Sequence, residues 1–131
     1  MSITIEISTG ELLDKITILR IKSERIADPA KLENIHKELA VLDRAWRVCH
    51  MDSDEVDQAI RELKAINEKL WEIEDAIRDK ESRREFDREF TDLARAVYFN
   101  NDERAAIKKR INLLTGSDLV EEKSYRDYQS A

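Results

Sequence analysis

The sequence predicts an all-α fold: an antiparallel coiled-coil helical hairpin within a bundle of about five helices, with a short N-terminal β-strand. Three observations lead there. Leu32, Ile35, Leu39, Leu42, Trp46 and Cys49 step by three and four, and so do Val56, Ala59, Leu63, Ile66, Leu70, Ile73 and Ile77. Apolar residues at that spacing lie along one helix face and need burial against a partner. The break between the two stripes is short and polar, which suits an antiparallel turn. Finally, two Gly and one Pro in 131 residues leave no material for a turn-rich β fold.

Each element has its own signals. Residues 3–7 alternate as Ile3-Thr4-Ile5-Glu6-Ile7, the period of a half-buried strand. An isolated strand is unstable in water, so this one needs a distant partner or a second chain. Inside the chain, the segment around Leu119-Val120 is the candidate. Ser8-Thr9-Gly10-Glu11 reads as a capping box opening a helix over residues 9–26. Leu12, Ile16 and Leu19, widened by Leu13, Ile18 and Ile21, make it a helix buried on more than one side. Asp28-Pro29 ends it and starts the next, over 29–50, with Pro29 at the first helical position. Asp52, Ser53, Asp54 and Glu55 supply a cap and negative charge for a third helix over 54–80. Ser82-Arg83-Arg84-Glu85 reads as another capping box, for a helix over 83–99 with Phe86, Phe90, Leu93 and Val97 inward. Asn100-Asn101-Asp102-Glu103 suggests a cap for a fifth helix, 101–115, which Gly116 closes. Residues 126–131 are expected to fray.

Composition narrows the function. Charged residues make up 40% of the chain and aromatics 6%, a balance typical of long helices. The net charge of −6 sits in the middle of the chain: residues 51–100 hold 15 acidic and 9 basic side chains. Such a chain offers no electrostatic footprint for nucleic acid, and Lys108-Lys109-Arg110 reads as a solvated helix face. A single cysteine excludes an internal disulfide and fits a reducing compartment; its place on the stripe makes Cys49 a small core hydrophobe. The N-terminus lacks the basic and apolar regions of a signal peptide, and no apolar run approaches the ~20 residues of a membrane span. A cytoplasmic location follows as the expectation.

Two blocks are more distinctive than the stripes. One is Gly10-Glu11-Leu12-Leu13-Asp14-Lys15-Ile16-Thr17-Ile18-Leu19. The other combines Asn101-Asp102-Glu103-Arg104-Ala105 with the run from Gly116 through Ser117-Asp118-Leu119-Val120-Glu121-Glu122-Lys123-Ser124 to Tyr125. With these blocks the chain resembles, over nearly its whole length, a family of small bacterial helical proteins known as a domain of unknown function. The resemblance implies one intact domain and brings no activity, substrate or catalytic residue.

Candidate chemistry is sparse. Glu33 and His36 have the Glu-x-x-His spacing of di-iron bundles, but Leu32, Ile35 and Leu39 own the inward face, so no metal is expected there. There is no Gly-rich phosphate loop, no nucleophile elbow and no zinc spacing; no catalytic residue and no cofactor are assigned. The unusual polar residues lie at the two ends: Asp14, Lys15 and Arg20 interrupt an apolar helix, and Arg104, Glu122, Lys123 and Tyr125 crowd the other end. Either the ends meet as a polar functional surface, or their charges pair to fasten the tail to the bundle; the second is the commoner arrangement. Val41, Ala45 and Val48 add a further apolar side to the second helix, more than one hairpin needs. The expected role is therefore a non-enzymatic interaction or adaptor module acting through helix faces, as a homodimer or with another protein, without nucleic acid and without membrane insertion. The alternative is a small helical enzyme or binding protein for an anionic small molecule, using the first-helix cations Lys15 and Arg20.

Overall fold

The computed structural model describes residues 1–49 and 53–128, and within them the protein is all-helical. Four helices follow one another: α1 (Thr9–Arg25), α2 (Pro29–Cys49), α3 (Asp54–Ser82) and α4 (Arg88–Thr115). His50, Met51, Asp52 and residues 129–131 lie outside the described residues, so the boundary expected near His50 and half of the tail expected to fray (126–131) fall there too. None of the four is long and apolar enough to cross a membrane.

The caps explain where the helices begin. Ser8 Oγ accepts from the Glu11 backbone N–H at 3.1 Å, Ser53 from Val56, and Asp87 from Phe90. Only half of the first capping box forms, because the Glu11 carboxylate turns away to Lys108 at 2.7 Å. At the far end of α4, Gly116 takes the left-handed conformation (φ 63°). Ser117 N–H bonds back to Asn112 C=O at 2.9 Å, as expected of a C-terminal glycine.

α1 is the centre of the molecule. It packs against all three other helices, and Leu12, Leu13, Ile16, Leu19 and Ile21 are buried around much of its circumference. α3 and α4 form the longest contact, an antiparallel pair tied at one end by Arg110–Glu62 and at the other by the loop from 83 to 87. The main core collects where α1 crosses the N-terminal half of α3 and the C-terminal half of α4. There Leu13, Ile16, Val56, Ala59, Leu63 and Ile111 are almost wholly excluded from solvent, with Trp46 of α2 added from the side. The α3 stripe is buried as its spacing requires, from Val56 to Ile73.

Four expectations are corrected. The helical hairpin is α3–α4, not α2–α3: no Cα of α2 comes within 8 Å of one in α3 among the described residues, and α2 lies on α1 instead. Spacing shows that a face is buried but not which helix buries it. The helices number four, because α4 runs unbroken through Asn100-Asn101-Asp102-Glu103. Asn100 does not cap; it is buried and donates from its amide to Ala96 C=O at 2.7 Å, inside its own helix. No strand exists among the described residues. Residues 3–7 are without helix or ladder, with Ile3 and Ile5 exposed and Ile7 packed on the core. Cys49 is exposed rather than a core residue, lying beyond the edge of the face that α2 turns to α1.

The α3–α4 turn also differs from its sequence reading. Ser82 remains in α3 and Asp87 is the cap of α4. Arg84 N–H bonds to Glu81 C=O and Glu85 N–H to Lys80 C=O, both at 3.0 Å, which closes a Schellman turn with Arg84 at φ 53°. Lys80, on the continuation of the α3 stripe, is buried and ion-paired with Asp87 at 2.9 Å, Glu89 at 3.0 Å and Glu85 at 3.3 Å. The hydrogen bonds that Lys80 donates, to Asp87 first and then to Glu89, raise its ammonium above the ordinary lysine range against the opposing effect of burial. Arg84 is a side-chain-bearing residue in the position glycine prefers. Arg84→Gly should therefore stabilise the protein by about 0.5–1 kcal/mol, read as a rise in the midpoint of thermal or urea unfolding.

Candidate functional site

The two chain ends meet, and they meet at a buried carboxylate. Asp14 is 1% exposed, in the middle of α1. Its Oδ1 accepts from Arg104 Nε at 2.9 Å and from the Asn67 amide at 2.9 Å; its Oδ2 accepts from the second nitrogen of the same guanidinium. Lys108 Nζ stands 3.8 Å from Oδ2. Thr17, also buried, accepts from Asn67 at 3.0 Å and donates to the Asp14 backbone C=O at 2.9 Å. One carboxylate thus joins α1 to α3 through Asn67 and to α4 through Arg104. Burial raises the carboxyl's proton affinity, but the hydrogen bonds from Arg104 and Asn67, with the charges of Arg104 and Lys108, outweigh it and hold the group below the usual range. The same contact raises the Arg104 guanidinium.

A second contact lies four to five residues back toward the N-terminus. Gly10 N–H donates to the buried Asn112 side-chain oxygen at 2.6 Å, and Thr9 N–H to Ser117 Oγ at 3.2 Å. With the Glu11 N–H on Ser8 Oγ, the free N–H groups of Thr9, Gly10 and Glu11 in the first turn of α1 are satisfied within the protein, and Leu12 N–H makes the first helical bond to Ser8 C=O. The positive end of this helix is therefore closed to an external anion. Gly10 is required for that closeness: a Cβ there would fall 2.5 Å from the Lys108 backbone oxygen and 2.9 Å from Asn112 Oδ1.

From Gly116 the chain turns back along α4. It is held by Ser8 Oγ donating to Glu121, by Lys109–Glu122 at 3.1 Å, and by Tyr128, whose ring meets Tyr98 and Phe99 edge-on at 5.0 Å. Between this segment and α4 lies an open concavity of about 1030 Å³, bordered by Arg104, Lys109, Glu122, Lys123, Tyr98 and Tyr125. Its cations are largely engaged: Arg104 with Asp14, Lys108 with Glu11, Lys109 with Glu122, and Lys123 over the Tyr125 ring at 5.5 Å.

The residues expected at the ends separate into three groups. Asp14 and Arg104 form the buried pair. Glu122, Lys123 and Tyr125 line the concavity. Lys15 and Arg20 do neither: Lys15 is half exposed and 3.8 Å from Glu11, and Arg20 pairs with Asp43 of α2 at 3.2 Å. Sequence reasoning missed Asn67, Thr17, Asn112 and Gly10. The glycine had left a signal, since a helix-disfavouring residue in the first turn points to a close approach of backbones.

The other surface of note is on α2. Only Ile35 and Trp46 are buried among its residues, and Leu32, Leu39 and Leu42 are half covered. On a separate side Val41 is 58% and Val48 84% exposed, with Ala45 exposed between them. Glu33 and His36 are exposed as well, and no cluster of possible metal ligands occurs among the described residues.

The class defined by this geometry is a four-helix domain with a polar lock in its centre and one helix left half open. The chain belongs to a family of unknown function (DUF6165), whose model matches residues 3–131. No curated protein and no solved structure matches it.

Two outcomes follow from the lock. Gly10→Ala should cost about 2–3 kcal/mol, measured by urea unfolding, because the obstructing atom is backbone. Because the folded Asp14 carboxyl lies below its unfolded value of about 4, its contribution is complete above that pH and is lost as pH falls through the folded value. Asp14→Asn should then cost roughly 3 kcal/mol at neutral pH, by leaving Arg104 unpaired, and should flatten the acid limb of stability against pH.

Proposed function

We propose that this protein is a non-enzymatic interaction module, an adaptor that docks through the open face of α2. The observation that carries this reading is the stripe Val41, Ala45 and Val48, left in solvent on a helix whose opposite side already seats it on α1. A helix that keeps a second apolar side uncovered suits a protein whose other surface is supplied by a partner.

The buried pair supports the non-enzymatic part. Asp14 is ionised, 1% exposed and held by three hydrogen bonds from Arg104 and Asn67, so it is shielded from a substrate proton, and Arg104 is spent in neutralising it. The cations expected to hold an anionic molecule, Lys15 and Arg20, lie outside the concavity. Neither arrangement resembles a site poised for proton transfer.

Tagged protein recovered from its native cells separates the two surfaces. Proteins that co-purify with the wild type should be lost with Val41→Asp/Val48→Asp and kept with Tyr98→Ala/Lys109→Glu, which alters the concavity instead. The reverse pattern would move the function to the concavity and end the α2 reading.

A further inference from the structure

The segment that leaves Gly116 crosses α4 without the bonds that usually hold an element in place. From Asp118 to Arg126 no backbone N–H reaches a partner among the described residues, and every residue from Asp118 to Tyr128 is exposed. Its path is set by side chains at two points. Near its start Glu121 accepts from Ser8 Oγ and Glu122 pairs with Lys109 at 3.1 Å. At its far end the Tyr128 ring stands edge-on to Tyr98 and Phe99, at 5.0 Å from each. Exposed pairs of this kind are individually weak. The buried core ends at Asn112, so it is complete without the segment.

The two points match in spacing. Lys109 and Tyr98 stand eleven residues apart on α4, roughly 16 Å at 1.5 Å per residue. Glu122 and Tyr128 are six apart, and six extended residues reach at most about 20 Å. The middle does not match. Tyr98, Asp102, Ala105 and Lys109 follow by four and three along one face of α4, and the small Ala105 leaves that face low at its centre. Residues 123–126 arch over it, so the concavity of about 1030 Å³ remains beneath them. We infer that this face of α4 is a docking groove for an extended peptide of a partner protein, one with an acidic residue and an aromatic residue six positions later, and that the chain's own segment 118–128 occupies it as a displaceable strap. The strap displays both anchors that the groove accepts: carboxylates at Ser8 and Lys109, and a ring against Tyr98 and Phe99. In the arch Lys123 places its ammonium over the strap's own Tyr125 ring at 5.5 Å, not on α4. A partner that keeps the anchors and adds a large apolar side chain over Ala105 buries area that the strap leaves open, and displaces it. The inference goes beyond the α2 reading, because it concerns another face and is decided by peptide binding rather than by co-purification.

Fluorescence anisotropy with a labelled synthetic peptide of residues 117–128 tests this on the full chain. A strap tethered at Gly116 competes at an effective concentration on the order of 1 mM, so the native chain should reach half-saturation only at about 1 mM peptide or above. Glu122→Ala/Tyr128→Ala removes both anchors in cis from exposed positions. It should keep its helicity and bind the peptide at least tenfold more tightly. Adding Lys109→Glu to that variant should abolish binding, and a peptide carrying Glu122→Lys should restore it. A peptide carrying Lys123→Leu should bind the released chain at least threefold more tightly than the native sequence does. Equal affinity for the native and released chains overturns the strap as the occupant. Binding that survives Lys109→Glu, or that the charge swap does not restore, overturns the groove. A Lys123→Leu peptide that binds no more tightly overturns the open centre, and no binding to the released chain at about 1 mM overturns the proposal as a whole.

Discussion

The ionised carboxylate of Asp14 is the constraint around which this bundle is arranged. A charge at that depth costs several kcal/mol unless every lone pair finds a donor. Arg104 and Asn67 supply three donors, and Lys108 adds its charge at 3.8 Å, from two helices that do not adjoin α1 in sequence. The geometry is therefore mutual. α1 cannot rotate on its axis without stripping the carboxylate, and α4 cannot slide without breaking the two-point grip of the guanidinium. Apolar packing would tolerate small changes in both, since Leu13, Ile16 and Ile111 offer contact in many orientations.

Gly10 and Asn112 extend the same constraint to the chain ends. Because α4 reaches the first turn of α1 at backbone contact, its C-terminus is fixed beside Ser8, and the segment that leaves Gly116 begins next to the N-terminus. The bonds from Thr9 to Ser117 and from Ser8 to Glu121 follow from that placement. The charge pairs along the returning segment are exposed and individually weak, so they direct its path more than they stabilise the fold. The concavity beside it is thus a consequence of how the ends are brought together, and its walls are largely neutralised by their own pairs.

What could be read from the sequence was local. The Ser8 cap, the α3 stripe from Val56, the glycine turn at Gly116 and the unusual burial of the first helix all depend on neighbours within a few turns. What could not be read depended on distant choices. The stripe on α2 is genuine, yet nothing in Leu32, Ile35 or Trp46 distinguishes α1 from α3 as the surface that receives it. Asn100 and Asp102 suit a cap and a helix interior almost equally, and packing against α3 decides for the interior. Lys80 ended the apparent seam by residue type alone, although three carboxylates let it remain buried there. At the ends, the unusual polar residues identified the right region, but Lys15 and Arg20 shared their composition without sharing their place. Asn67 is hidden for the same reason: beside Ile66 it looks like any polar neighbour of an apolar seam.

The lock also explains why α2 stands apart. α1, α3 and α4 are mutually fixed by the carboxylate and close the core among themselves with Trp46 as the one buried contribution from the C-terminal half of α2. Folding requires of α2 a single face, the one carrying Ile35 and Trp46. A second face is under no such demand, and on an isolated surface helix it would be free to hold any polar residue. Val41 and Val48 are also poor choices for an exposed helix on intrinsic grounds, since β-branched side chains lose rotamer freedom there. They would lower the stability of a lone domain slightly and gain nothing within it.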